Sequence, residues 1–220
     1  MPVISFANSK GGVGKSTSAL VLSLVLAKHN SSVTLIDADP NQPLKRWVKR
    51  DPDRVPENLH IIPDVNEDTI LNAIDEASSK DAFVIIDLEG SKNITVSYAI
   101  GRSNLVIIPI QGSQLDADQG VNVIKLIERE KQAFARNINY SILFTRSTVI
   151  QARDVTHVRN QLKENEINVL PTELMERSAF RTIFQLGGSI YDLTNKETSN
   201  PHKAIENAEA FTNSVVEMLG

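Results

Sequence analysis

The chain predicts an α/β fold, a mostly parallel, twisted β-sheet with helices on both faces. Three observations carry that expectation. Apolar, β-branched runs alternate with helical patterns along the 220 residues. Val84-Ile85-Ile86 and Val106-Ile107-Ile108 are unbroken apolar triplets, the pattern of strands covered on both sides rather than one. A glycine-rich octapeptide, Lys10-Gly11-Gly12-Val13-Gly14-Lys15-Ser16-Thr17, joins the first apolar run to the first helical segment. Repeated strand-then-helix order implies right-handed crossovers that clothe both faces of the sheet. Ligands on such sheets bind at the carboxyl ends of the strands.

Strands are expected at Val3–Ala7, Val33–Ile36, His60–Ile62, Phe83–Ile86, Leu105–Ile110 and Tyr140–Phe144, with a short one near Val169. Helices of about 10–16 residues fill the intervals. The first, from Ser16 to about His29, is apolar nearly all round and so expected to be buried on most sides. A further helix is expected from Gln151 to Glu164, with Val155, Val158 and Leu162 on one face and Arg159 and Lys163 on another. The last, Pro201 to Leu219, spaces Ile205, Ala208, Phe211, Val215 and Met218 as a core-facing stripe. Residues 1–220 read as one domain, without repeat or linker.

Strand, glycine-rich loop and helix form the layout of a phosphate-binding P-loop. Its glycines turn backbone N–H groups toward an anion, and the helix N-terminus adds positive potential. Lys15 is placed to reach β- and γ-phosphates, and the Ser16 hydroxyl to hold Mg²⁺. Ser9 stands where the usual pattern has its first glycine, and a second lysine, Lys10, heads the loop. A lysine near phosphate is worth up to about 4 kcal/mol at 4 Å and an effective dielectric near 20. Ordinary nucleotide binding does not call for two.

Acidic groups follow at the ends of two other strands. Leu35-Ile36 leads into Asp37-Ala38-Asp39-Pro40, whose two carboxylates can organise metal-bound water or orient an attacking one. Phe83-Val84-Ile85-Ile86 ends in Asp87, the layout of an acid that holds Mg²⁺ through water. Glu89, just beyond, reads as a turn residue rather than a base. Asp116 is placed to cap the helix after the fifth strand.

These segments together resemble the ParA/MinD family of deviant Walker A ATPases, specifically the small ParA type without an N-terminal helix-turn-helix domain. The likeness spans the chain. It includes Ile108-Pro109-Ile110-Gln111 and the late segment Glu176-Arg177-Ser178-Ala179-Phe180. It implies a P-loop NTPase fold, ATP and Mg²⁺ as cofactors, and a homodimer in the ATP state. By resemblance, Lys10 reaches the partner subunit's phosphates, Asp39 positions the catalytic water, and Asp37 lies near the metal. The implied site comprises Lys10, Lys15 and Asp39 as catalytic residues, Lys10 to Thr17 around the nucleotide, and Ser16, Asp37 and Asp87 at the metal. The resemblance further implies nonspecific DNA and a centromere-binding, ParB-type activator as partners. Three departures stand out: Leu88-Glu89-Gly90 follows Asp87, Gly112 occupies a position where proline is common, and Thr145 replaces a common asparagine.

Composition excludes other classes. There is no cysteine, so no disulfide framework, thiolate zinc site or cysteine-held iron–sulfur cluster. The four histidines lack metal-ligand spacing. No basic-then-apolar leader opens the chain and no apolar stretch is long enough to span a bilayer, so a cytoplasmic protein is expected, and the resemblance implies that it is nucleoid-associated when ATP-bound. The C-terminal helix is acidic, unlike the basic amphipathic anchors that adsorb to lipid, so no membrane partner is expected. The net charge of −4 argues against tight DNA binding by a monomer, but not against a basic patch assembled on a dimer. Lys45, Arg46, Lys49 and Arg50 around Trp47 read as an exposed helix with one packed tryptophan. Only nine residues precede Lys10, so operator reading by an N-terminal domain is not expected. The reading is therefore an ATP-dependent, dimerising ATPase for plasmid or chromosome partition. Two alternatives remain: a ParA-like ATPase that positions a conjugative-transfer complex or protein cargo, and a metabolic P-loop phosphotransferase.

Overall fold

A computed structural model describes residues 1–90, 93–148 and 153–220. Among these residues, seven strands form one sheet in the order β3-β2-β4-β1-β5-β6-β7. They are β1 (Val3–Phe6), β2 (Val33–Ala38), β3 (Leu59–Ile62), β4 (Phe83–Leu88), β5 (Leu105–Ile110), β6 (Asn139–Ser147) and β7 (Leu174–Met175). Every pairing is parallel. Among the described residues the α-helices are α1 (Lys15–Lys28), α2 (Pro43–Arg50), α3 (Ile70–Lys80), α4 (Ile94–Arg102), α5 (Gln114–Phe134), α6 (Arg153–Glu164), α7 (Ser178–Leu186) and α8 (Pro201–Glu217).

The pleat divides each strand's apolar residues between two cores. Ile4 and Phe6, Leu35, Ile85, Leu105 and Ile107 face α1, α2, α7 and α8. Val3, Ile36, Val84, Ile86, Val106 and Ile108 face α3 to α6. Alternate residues of a continuous apolar run thus serve opposite layers, which is why these strands carry no polar face. Helix α1 is the central helix of its layer, with Leu20, Val21, Leu22, Leu24 and Val25 fully buried. The stripe on α8 packs as its spacing predicts, with Ala208, Phe211 and Val215 fully buried. Trp47 is likewise buried, its indole N–H donating to the Gly188 carbonyl at 3.1 Å.

Two expectations are corrected. The last strand is Leu174–Met175, not a segment at Val169, which makes only an isolated bridge to Ile142. Pro171, just beyond Val169, has no N–H for the ladder, and the chain re-pairs with β6 after it, across an irregularity in register. Helix α5 is capped by Ser113, not Asp116: the Ser113 hydroxyl accepts from the Asp116 N–H, and the Asp116 carboxylate returns the bond to the Ser113 N–H. The expected start of α6 at Gln151 lies outside the described residues; from Arg153 onward the helix is as expected, with Val158 and Leu162 buried.

Candidate functional site

The site lies where β1, β2 and β4 deliver their carboxyl ends beside the start of α1. The chain leaves β1, turns through residues 8–14 and enters α1 at Lys15. Gly14 closes the turn at φ 97°, a conformation side-chain-bearing residues rarely adopt. Helix α1 has neither a capping side chain nor an acid in its first turn, so its leading N–H groups remain directed at an anion.

Neighbouring strand ends brace this loop. Asn8 Nδ2 donates to the Pro109 carbonyl at 2.7 Å, while Asn8 Oδ1 accepts from the Lys10 N–H at 2.9 Å. Gln111 Nε2 donates to the Gly12 carbonyl at 2.8 Å. The Ser9 hydroxyl donates to Gln119 Oε1 on α5. The Thr145 hydroxyl, at the end of β6, lies 2.7 Å from the Val13 carbonyl and 3.0 Å from the Ile110 carbonyl. Thr145, a departure from the family pattern, is therefore a strut between β5, β6 and the loop. Gly112 adopts φ 88°, which proline's ring forbids. The local backbone thus explains the second departure.

Lys15 is buried, and its Nζ donates to the Lys10 carbonyl at 3.2 Å. Burial lowers its pKa, opposed by the nearby carboxylates of Asp87, Asp39 and Glu89. A cleft of about 310 Å³ opens over the loop, lined by Gly12, Lys15, Ser16, Asp39, Glu89 and Arg146 among others. Asp39 Oδ1 accepts from both the backbone and side-chain N–H groups of Asn41, at 2.8 and 2.9 Å, which fixes its orientation at the rim. Glu89, read from sequence as a turn residue, lines this cleft and accepts a hydrogen bond from Asn93, the N-cap of α4. Its pKa is raised by partial burial and by the Asp39 charge.

Register sets the two deeper acids side by side. Asp37 and Asp87 are direct partners across the β2–β4 ladder, hence on the same face and one strand spacing apart. Burial raises both carboxyls; the Asp39 charge adds to it at Asp37, and the Asp37 and Asp39 charges add to it at Asp87, which is pushed up to about 8. Asp37 Oδ2 accepts from the Leu44 and Lys45 N–H groups, both at 3.0 Å, capping α2. Its other oxygen and both oxygens of Asp87 are buried without a well-formed hydrogen bond. Ser16 lies close enough to favour the ionised form of Asp87, yet burial outweighs it.

Buried oxygens without partners at a phosphate loop call for a cation. Among the described residues no three His, Cys, Asp or Glu side chains converge as a metal cage. Mg²⁺ keeps waters and substrate phosphates as ligands and takes few from protein. Ser16, Asp37 and Asp87 have the chemistry to hold its inner ligand or its water shell. The glycine loop, the leading N–H groups of α1 and Lys15 fit a triphosphate.

Lys10 stands apart. Its Nζ lies 2.6 Å from Asp116 Oδ1 at the start of α5, and it does not line the cleft. The Lys10 side chain is 38% exposed and that of Asp116 only 2%. Burial raises the Asp116 carboxyl, but hydrogen bonds from Lys10 and Ser113 outweigh it and hold it below the usual carboxylate range. The fold gathers Lys15, Ser16, Asp37, Asp39 and Asp87 near the loop; Asn8, Gln111 and Thr145 brace the loop and Asp116 holds Lys10, contacts that no local spacing in the sequence signals.

The VirC1 protein family model matches residues 1–218. Protein ParA of Rhizobium radiobacter is 39% identical over 220 residues, 100% of this chain and 98% of that protein. The maintenance of carboxysome distribution protein A of Halothiobacillus neapolitanus is 25% identical over 194 residues, 86% of this chain and 87% of the relative. A plasmid partition protein from Borrelia burgdorferi, solved with AMPPNP, superposes with a TM-score of 0.74 at 20% identity, covering 99% of each chain.

Proposed function

The chain belongs to the VirC1 protein family within the ParA/MinD group, and on that premise we propose that it is an ATPase that pairs when it holds ATP and uses the pairing to segregate DNA. The observation that carries this reading is the division of labour between two lysines. Lys15 is buried among the cleft's carboxylates, where one ammonium suffices for the protomer's own phosphates. Lys10 extends away from the cleft, its side chain part exposed and ion-paired with Asp116, and so is the lysine left to serve a second copy. The relatives named ParA and plasmid partition protein point the same way.

In this reading the loop amides and Lys15 hold the phosphates, and Ser16, Asp37 and Asp87 hold Mg²⁺ or its waters. The metal supplies positive charge to the β- and γ-phosphate oxygens. Lys10 from each protomer adds charge at the partner's phosphates. Asp39, fixed by Asn41, orients the attacking water. Asp37 links the site to α2, because its carboxylate stands opposite Asp87 across the ladder and also caps that helix, so loss of the γ-phosphate is relayed to α2. A basic patch assembled on the paired protomers holds DNA through its phosphates without reading bases. A centromere-binding, ParB-type protein accelerates hydrolysis and reopens the pair.

Gel filtration and DNA retention, run in parallel with ATP, ADP and no nucleotide, test the reading. Lys10→Ala should abolish ATP-dependent pairing while sparing ADP binding. Asp39→Ala should accumulate an ATP-bound dimer. Parent-like pairing and turnover in both variants would refute the mechanism. The relative concerned with carboxysome distribution favours a second reading, in which the same cycle positions a protein cargo. ATP-dependent pairing whose hydrolysis responds to a cargo adaptor but not to a centromere complex would select it.

A further inference from the structure

Helix α2 carries Lys45, Arg46, Lys49 and Arg50 within its eight residues. Its apolar side is committed to the core: Leu44 and Trp47 are fully buried, and no large apolar side chain of the helix is exposed. Lys45 is neutralised by Asp64 at 2.5 Å. Arg46, Lys49 and Arg50 are exposed, and among the described residues their side chains make no ion pair or hydrogen bond. On other helices Lys80 is answered by Glu76, Arg102 by Asp75, Lys131 by Glu128 and Lys203 by Glu206. Positions 46, 49 and 50 are three and four residues apart, so their charges share one face. Like charges at that spacing repel, and the pairs Lys45–Lys49 and Arg46–Arg50 both have it. A face that served solubility alone would interleave acids with them.

The helix is also held at both ends. Asp37, opposite Asp87 in the ladder, accepts from the Leu44 and Lys45 N–H groups, and the Trp47 indole donates to the Gly188 carbonyl. Only residues 40–42 separate α2 from Asp39 in the lining of the cleft. The charged face is therefore a fixed platform joined to the nucleotide site, not a loose tail.

We propose that this outer face of α2 is where each protomer grips duplex DNA, with Arg46, Lys49 and Arg50 each taking a backbone phosphate. The proposal rests on the reading above that the paired form holds DNA, and it names the surface that does so. The occupant is a phosphodiester chain rather than a bilayer, because the face offers no exposed apolar side chain to enter lipid. Phosphates carry no sequence information, so the grip is indifferent to sequence. Three charges make a weak hold. Two protomers on one duplex double them and gain by effective concentration, so DNA binding answers to pairing.

The triple variant Arg46→Gln, Lys49→Gln, Arg50→Gln tests this, since all three side chains are exposed and glutamine is a good helix former. Anisotropy of a labelled duplex of mixed sequence, titrated with protein in Mg²⁺ and AMPPNP at rising KCl, reads affinity and salt slope. Sedimentation velocity in the same buffer reads pairing. The variant should pair like the parent, yet bind DNA at least about 100-fold more weakly, with the slope of log K against log salt reduced by about 5. Each single substitution should reduce the slope by about 2, which keeps the test open if the triple variant folds poorly. An equal loss of exposed charge elsewhere, Lys163→Gln, Lys196→Gln and Lys203→Gln, should leave affinity within about threefold of the parent. A parent that pairs and binds DNA while the α2 variants bind it as tightly overturns this surface alone. An equal loss in the control set overturns it too, by tracing the effect to net charge. So do phosphatidylglycerol vesicles that sediment with the parent and not with the triple variant while DNA binding is unchanged, since they assign the face to lipid. A parent that pairs with AMPPNP and binds no DNA overturns both the surface and the reading it rests on.

Discussion

Thr145→Val removes one oxygen from the centre of the site while nearly keeping the side chain's shape. The hydroxyl lies 2.7 Å from the Val13 carbonyl and 3.0 Å from the Ile110 carbonyl, and the residue is 2% exposed. A net hydrogen bond contributes about 1 kcal/mol, and a buried carbonyl left without its donor costs about 1–2 kcal/mol more. The expected loss is therefore about 2–3 kcal/mol. For a chain of this size, each kcal/mol lowers Tm by about 2–4 °C, so a fall of about 5–10 °C is expected in a thermal melt of the nucleotide-free protein. Part of the loss falls on the loop's phosphate-binding conformation, since Val13 lies inside it. If about half does, ADP affinity by calorimetry drops about tenfold. Thr145→Ser keeps the hydroxyl and should recover most of both effects. A valine variant melting within about 1 °C of the parent, with unchanged ADP affinity, would refute the claim that this residue struts the loop.

Other outcomes follow from the two deep acids. The Asp87 carboxyl binds its proton more tightly folded than unfolded, so its contribution to stability is greatest in acid and is lost as pH rises from about 4 toward 8. Asp87→Asn should flatten that decline and, at pH 8, stabilise the nucleotide-free protein by more than about 1 kcal/mol in denaturant titration. It should also abolish Mg²⁺-dependent tightening of ATP binding. A destabilised variant with intact Mg²⁺ dependence would contradict the assignment. Asp37 separates cap from metal ligand: Asp37→Asn retains an acceptor for α2 and should melt near the parent, whereas Asp37→Ala loses the cap at about 1 kcal/mol. Both should weaken Mg²⁺-dependent ATP binding, and neither doing so would remove Asp37 from the metal site.

The phosphate loop and the acids at strand ends were legible because their chemistry is local. Glycine spacing, a lysine at the helix start and an apolar run ending in aspartate are features of contiguous residues. The order of elements was legible for the same reason, since burial on two faces writes itself into every residue of a strand. Boundaries were less so. Asp116 and Ser113 both favour helix caps, and only geometry shows that the serine caps while the aspartate returns the bond. The final strand was misplaced because a two-residue pairing such as Leu174–Met175 carries no periodicity to read.

The sequence by itself determined that a parallel sheet would present a phosphate cradle, with two lysines and three acids at its edge. Tertiary structure alone decided how those charges are shared out. Asp37 and Asp87 became neighbours through the register of strands fifty residues apart in the chain, about one strand spacing from each other. Lys10 met Asp116, and Val13 met Thr145, across separations of 106 and 132 residues. Side-chain partners at that distance are set by how elements pack, and no local spacing records them.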